Sequence, residues 1–275
     1  MIQRMRGIVV VRGAGDLATG VILRLARSGF SVVALEVAAP TAIRRSVAFS
    51  EAVYDGAACV EGLIANRAAS ASEALDIARK GFIPVLVDPL CTSLGHFSPL
   101  ALVDAILAKR NLGTDASMAP IVVALGPGFT APRDCHAVVE TNRGHYLGRV
   151  MLEGAAQPDT GTPGTVGGIG AERVVHAPSG GIVEALAQIG DSVAAGDPIL
   201  ALCDPESDAR IVVASPLGGT LRGLIRPGIR VGPGNKLADV DPRGVREHCF
   251  SVSDKARAVA GGVLEAILAL GGRPE

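Results

Sequence analysis

Apolar residues recur in two rhythms along the 275 residues of this chain. Ile8–Arg12 is a continuous apolar run closed by a charge, as a parallel strand covered on both faces requires. Asp16–Ser28 follows with Leu17, Val21, Leu25 and Ala26 spaced for one helical face, and Gly29 is placed to end it. Ser31–Leu35 predicts a second strand. Ser70–Lys80 predicts an amphipathic helix with Ser72 as its cap, and Ile83–Val87 the next strand. The spacing over Pro99–Lys109 is helical, and Ile121–Leu125 again has the pattern of a buried strand. Such alternation predicts a Rossmann-like, doubly wound parallel α/β sheet with right-handed crossovers over residues 1–153.

The rhythm then changes. Residues 154–172 are rich in Gly and Pro and read as a linker. Beyond them APSGGIVEALAQIGDSVAAGDPIL, from Ala177, aligns without a gap on SPLGGTLRGLIRPGIRVGPGNKL, from Ser215. Pro178, Gly181, Gly190, Val193 and Gly196 fall on Pro216, Gly219, Gly228, Val231 and Gly234. Duplicated short apolar strands with Gly turns predict a β-rich domain over residues 173–243 with two halves about a pseudo-twofold axis. On these residues the segment resembles a biotinyl/lipoyl-type barrel-sandwich domain. That family carries its cofactor on a Lys in the hairpin between the halves. Here the hairpin is CDPESDARIVV, without Lys, and Lys236 aligns with Pro198, so the resemblance implies a structural or docking module. Residues 244–275 end in SDKARAVAGGVLEAILAL, a helix capped by Ser253 and expected to pack back on the domains.

Composition excludes several classes. A net charge of −1 with scattered basic residues gives no electrostatic reason to expect nucleic acid or an anionic membrane as a partner. No apolar run reaches the roughly 18–20 residues that span a bilayer, and the N-terminus lacks the apolar run of a signal peptide. Five cysteines without a CxxC pair predict a reduced, cytoplasmic protein. Homo-oligomerisation stays open. Cys135-His136 and His248-Cys249 put neighbours on opposite faces of a strand, so no metal site is expected.

The candidate chemistry gathers at Gly13-Ala14-Gly15-Asp16-Leu17-Ala18. Here Gly13 allows a tight turn, Gly15 lets the backbone approach a phosphate, and Ala18 stands for the third glycine of a dinucleotide loop. Glu36, at the end of the second strand, is placed to accept ribose hydroxyls. Asp16 would repel a phosphate unless a cation or Arg12 offsets it. Gly126 and Gly128, after the strand Ile121–Leu125, belong at the same sheet edge, and Asp88 either joins them or caps its own turn. Arg143 and Arg149 suit a two-pronged grip on an anion, and His145 could move protons. Cys91 and Cys249 are candidate sulfur-handling thiols; buried, inert cysteine is the plainer reading.

Taken in order, VVVRGAGDLATGVILRLARSGF, VAFSEAVYDG, LGPGFTAPRD, VVETNRGHYLGRV, DTGTPG, DPRG and SDKARAVAGGVLEAIL resemble one family over nearly the whole chain: the accessory (maturation) proteins of selenium-dependent molybdenum hydroxylases. The resemblance implies a cytoplasmic factor for a xanthine dehydrogenase-like client enzyme, binding a nucleotide or a molybdopterin-type cofactor. The sequence leaves two alternatives. One is an NAD(P)-dependent oxidoreductase, the other a non-catalytic scaffold whose glycines serve packing alone.

Overall fold

The structure is a computed structural model that describes residues 7–162, 164–205 and 209–273. Pro163 of the linker and Glu206–Asp208 of the expected hairpin lie outside the described residues. The chain divides into two compact units: the described residues of Met1–Pro40, Ala48–Thr160 and Val252–Glu275 form unit 1, and those of Thr41–Val47 and Gly161–Ser251 form unit 2.

Unit 1 opens with β1 (Ile8–Arg12), α1 (Asp16–Arg27) and β2 (Ser31–Glu36). After α2 (Ala52–Asp55) come β3 (Ala57–Val60), β4 (Leu63–Ala68), α3 (Ala71–Arg79) and β5 (Ile83–Val87). Then α4 (Leu94–Phe97), β6 (Ala101–Asp104), β7 (Ile121–Leu125), β8 (Thr130–Ala131), β9 (Ala137–Val139), β10 (Val150–Met151) and β11 (Gly154–Ala155) follow. The main sheet has nine strands in the order β10-β9-β7-β6-β1-β2-β5-β4-β3. Pairing is parallel from β9 across to β4, and antiparallel where β10 joins β9 and β3 joins β4.

This corrects the expected doubly wound parallel sheet. The sheet is mixed, and no α-helix lies between β6 and β7 or between β7 and β9. Pro99–Lys109 is the clearest departure: its expected helix is the strand β6, paired parallel with both β1 and β7 and buried along its length. Ladder hydrogen bonds on both sides outweigh a short stretch of helical spacing, and Leu107 and Lys109 then take positive φ, which stops any helix there. The cap of α3 also moves: Ser70, not Ser72, accepts the Glu73 N–H.

Unit 2 holds β12 (Val174–His176), β13 (Gly181–Ala185), β14 (Ser192–Val193), β15 (Pro198–Cys203), β16 (Arg210–Ala214), β17 (Gly219–Leu224), β18 (Arg230–Val231) and β19 (Lys236–Asp241). They form two four-stranded antiparallel sheets, β12-β19-β17-β14 and β16-β15-β13-β18. Strands exchange between the aligned segments, β14 pairing with β17 and β18 with β13. β12 and β16 lie just before the aligned segments and complete the two sheets, and residues 41–47 enter from far upstream. The duplicated barrel-sandwich expected from the sequence is therefore corrected to two antiparallel sheets of mixed origin. Ile199, Leu200, Leu202, Leu221, Leu224, Leu237 and Val240 make their core.

The chain returns to unit 1 as α5 (Asp254–Ala269), capped by Ser253, whose hydroxyl accepts the Ala256 N–H. It crosses α1 where Gly20 leaves room: a Cβ there would lie 2.8 Å from the Ala256 methyl. Among the described residues no helix is long and apolar enough to cross a membrane.

Candidate functional site

The order in which successive strands are added switches sides at β1, with β2 on one side and β6 on the other, so the loops after these strands lie at the topological switch of the parallel sheet. Gly13 has φ +103, which favours glycine, and a Cβ would lie 3.0 Å from the Ala105 carbonyl oxygen. Its N–H donates to Leu35 (2.7 Å). The Ala14 N–H donates to the Glu36 carboxylate (2.8 Å), and the Ala14 carbonyl accepts the Ser50 N–H (2.8 Å) and the Thr19 hydroxyl (3.2 Å). The first half of the loop is thus fixed by packing.

Gly15 differs. It is the N-cap of α1, no side chain caps the helix, and nothing lies within 4 Å of where its Cβ would be. The amino end of a helix presents backbone N–H groups and a partial positive charge, and here its approach is open. Ala18 is buried on the inner face of α1.

Glu36 is used otherwise than as a ribose acceptor. Its two carboxylate oxygens accept the Ala14 and Val37 N–H groups, tying the loop to β2. Burial raises its pKa above the ordinary value, and these two bonds oppose the rise. Arg12 does not reach the loop. It is buried and donates to the Pro89 and Leu112 carbonyls, the Thr114 hydroxyl and Asp104. Gly126 and Gly128 sit at the expected edge but face close neighbours, the Thr141 side chain and the Arg110 backbone. Asp88 caps its own turn, accepting from the N–H and hydroxyl of both Thr92 and Ser93.

Arg143 pairs in two-pronged fashion with Asp254 at the start of α5 (2.8 and 2.9 Å). Beside it is a residue that sequence reasoning missed, Lys255. Burial pushes its pKa down and Arg143 acts the same way, while Asp16, Glu140 and Asp159 pull it back up. Lys255 thus feels charges carried by α1, by the loop after β9 and by residues near the start of α5. The signal was available in SDKA: a cation in a helix's first turn opposes the helix dipole, so its placement calls for a reason. Glu140 is buried and holds its loop through the Asn142 and Gln157 N–H groups.

His145 is exposed and turned edge-on to Tyr146, with ring centroids 4.9 Å apart, and Arg149 stacks on the same ring. Burial raises the Cys91 thiol to about 11 and Cys135 to about 12, so both are protonated and inert. His136 is structural, its Nδ1 accepting the Val122 N–H (2.9 Å). Among the described residues no group of three His, Cys, Asp or Glu is placed to hold a metal ion.

These features define a two-unit α/β and β protein with an open helix terminus and a half-buried lysine at one sheet edge. No family model matches the chain. The uncharacterized protein YqeB of Escherichia coli (strain K12) is 52% identical over 263 residues, 96% of this chain, and the chain spans only 48% of that relative, about half its length. Among solved structures, an aspartoacylase family protein from Mesorhizobium loti is 13% identical, with 85% of this chain and 84% of that one covered and a TM-score of 0.29. The apo ectoine utilization protein EutE (DoeB) from Ruegeria pomeroyi is 16% identical, covering 84% and 53%, with a TM-score of 0.24. A putative succinylglutamate desuccinylase/aspartoacylase family protein from Shewanella amazonensis is 29% identical over 25% of this chain and 20% of that one, with a TM-score of 0.23.

These findings correct the family expected from the sequence. None of the proteins named above is described as a selenium-dependent molybdenum hydroxylase accessory protein or a biotinyl/lipoyl carrier, and the maturation role is withdrawn with the resemblance. TM-scores this low leave the chemistry to be read from the chain's own residues.

Proposed function

We propose that unit 1 binds a phosphate-bearing small molecule at the amino end of α1, with Lys255 as the cation beside it and Gly13, Gly15, Asp16 and Arg143 shaping the seat. The observation that carries this reading is the uncapped, open N-terminus at Gly15, in a loop whose other polar groups are already engaged. Asp16 would repel an anion, and Lys255 rather than Arg12 supplies the compensating charge. Arg143, oriented by its two-pronged pair with Asp254, would have to share its charge with a ligand bound there. Because burial lowers its pKa, the Lys255 amine also gives up its proton more readily than a surface lysine, which suits proton transfer to a bound ligand.

Calorimetric titration with inorganic phosphate, pyrophosphate and ADP tests this. Saturable binding is expected for at least one of them. Gly15→Asp, which puts a carboxylate into the open space, and Lys255→Met should each weaken it by about tenfold or more. Absence of saturable binding, or binding indifferent to Gly15→Asp, would overturn the reading.

A further inference from the structure

A dinucleotide bound at a topological switch lies across it, one half on each side of the strand where the order turns. In unit 1 that strand is β1, with β2 and β5 on one side and β6 and β7 on the other. The protein itself already makes this crossing. Arg12, the last residue of β1, is buried. Its Nε and Nη2 donate to the Pro89 carbonyl, in the loop after β5 (3.3 and 2.9 Å). Nη2 also donates to the Leu112 carbonyl and Nη1 to the Thr114 hydroxyl, in the loop between β6 and β7 (both 2.9 Å). Thr114 is fixed in turn, its hydroxyl donating to Asp104 while its N–H and carbonyl bond the Asn111 side chain. One guanidinium thus ties the loops of the two sides together at the end of β1. On the β6 side the packing is close as well. A Cβ at Gly13 would lie 3.0 Å from the Ala105 carbonyl oxygen, and one at Gly128 2.6 Å from the Arg110 Cα.

On the β2 side the groups that would hold a ribose are engaged within the protein. Glu36 is turned inward, each carboxylate oxygen accepting a backbone N–H, one from Ala14 and one from Val37. The Gly13 N–H goes to the Leu35 carbonyl, and the Ala14 carbonyl accepts the Ser50 N–H and the Thr19 hydroxyl. Both flanks of the loop are therefore occupied by contacts of the fold. The opening that remains is the end of α1 itself, at Gly15, where nothing lies within 4 Å of an added Cβ.

We infer that this seat takes a single terminal phosphate, the end group of a small phosphomonoester, and excludes a dinucleotide, with Arg12 and Glu36 setting the selectivity. The inference rests on the phosphate seat proposed above and narrows its ligand. A terminal phosphate presents free oxygens at the end of a molecule, so one cluster of N–H donors with a cation beside it holds it. In NAD both phosphates are internal diesters. They reach the α1 end only if a nucleoside is laid down on either side. The Arg12 bridge and the inward-turned Glu36 stand in those two directions.

Calorimetric titration of the full chain with glycerol 3-phosphate, ADP and NAD tests it. ADP and NAD share the adenosine and the pyrophosphate and differ in whether the last phosphate is free. Glycerol phosphate and ADP are expected to bind within about threefold of each other, and NAD at least about tenfold more weakly than ADP. Arg12→Lys keeps the charge but cannot donate to both loops, and Glu36→Ala clears the β2 side. Each should narrow the gap between NAD and ADP by about threefold or more. Should Arg12→Lys fail to fold, Thr114→Ala removes one acceptor of the bridge and should narrow the gap in the same direction. NAD binding as tightly as ADP would overturn the inference and leave the phosphate seat standing. No binding of any of the three would remove the seat and the inference together. A gap unchanged in both the bridge variant and Glu36→Ala would take the selectivity away from these residues.

Discussion

In unit 1 the buried guanidinium of Arg12 reaches two backbone carbonyls, a threonine hydroxyl and a buried carboxylate, while in unit 2 the equally buried guanidinium of Arg222 finds one distant carboxylate already engaged by Arg243. The contrast follows from where each side chain starts. Arg12 ends a parallel strand, and the loops gathered at that edge, carrying Pro89, Leu112 and Thr114, have carbonyls and hydroxyls not consumed by a ladder. Arg222 starts within an antiparallel ladder, where neighbouring carbonyls are paired across strands and only a bulge turns the side chain aside. Arg12 is therefore a structural brace with several partners, and Arg222 is held by one longer ion pair, to an Asp241 that also serves Arg243.

The comparison is sharpest in stability. Arg12→Met should cost about 3–5 kcal/mol by urea denaturation, because it strands Asp104 in the interior. Arg222→Met should be neutral or stabilise by about 1–4 kcal/mol, since it removes an under-paired buried charge without orphaning Asp241. A loss from Arg222→Met as large as that from Arg12→Met would erase the distinction.

Asp88 is another well-satisfied charge of unit 1. Burial acts to raise its pKa, but hydrogen bonds from Ser93 and Thr92 outweigh that and hold it below 3.8. The stability it contributes is present above pH 3.8 and is lost as pH falls through its lower folded value. Asp88→Ala should cost about 1–2 kcal/mol at neutral pH, and its urea midpoint should fall less steeply with acid than that of the wild type.

The smallest effect belongs to Lys255. Its folded pKa is below 10.5, so the unfolded chain binds the proton more tightly, and wild-type stability rises with pH across the window up to 10.5. Lys255→Met should gain under about 1 kcal/mol at neutral pH, and the gain should shrink as pH climbs through that window. A gain independent of pH would place the effect in packing rather than charge.

The glycine loop shows how far sequence could go. Gly13-Ala14-Gly15 was legible as a strand-to-helix turn because its chemistry is local: a positive φ at Gly13 and an uncapped helix start at Gly15. What surrounds it was not. Glu36 was placed at the right strand end, but its bonds to Ala14 and Val37 depend on how β2 lies against the loop. Lys255 is more than two hundred residues from Asp16, and only the return of α5 onto unit 1 brings its charge to the α1 terminus. Short motif resemblances misassigned the family, since glycines and alternating valines recur wherever strands turn into helices.

By itself the sequence determined the local elements whose signals are strong: the buried runs β1, β5 and β7, the amphipathic α1 and the Ser253 cap of α5. Period, cap and glycine act within a few residues, so they can be read from the chain. Only the tertiary structure decided that Ala101–Asp104 is a central strand, that Thr41–Val47 joins unit 2, that Arg12 is spent on several partners and that Arg222 has a single ion pair. Those outcomes rest on hydrogen bonds and burial between residues tens to hundreds of positions apart, where the fold, rather than local propensity, sets each group's partners.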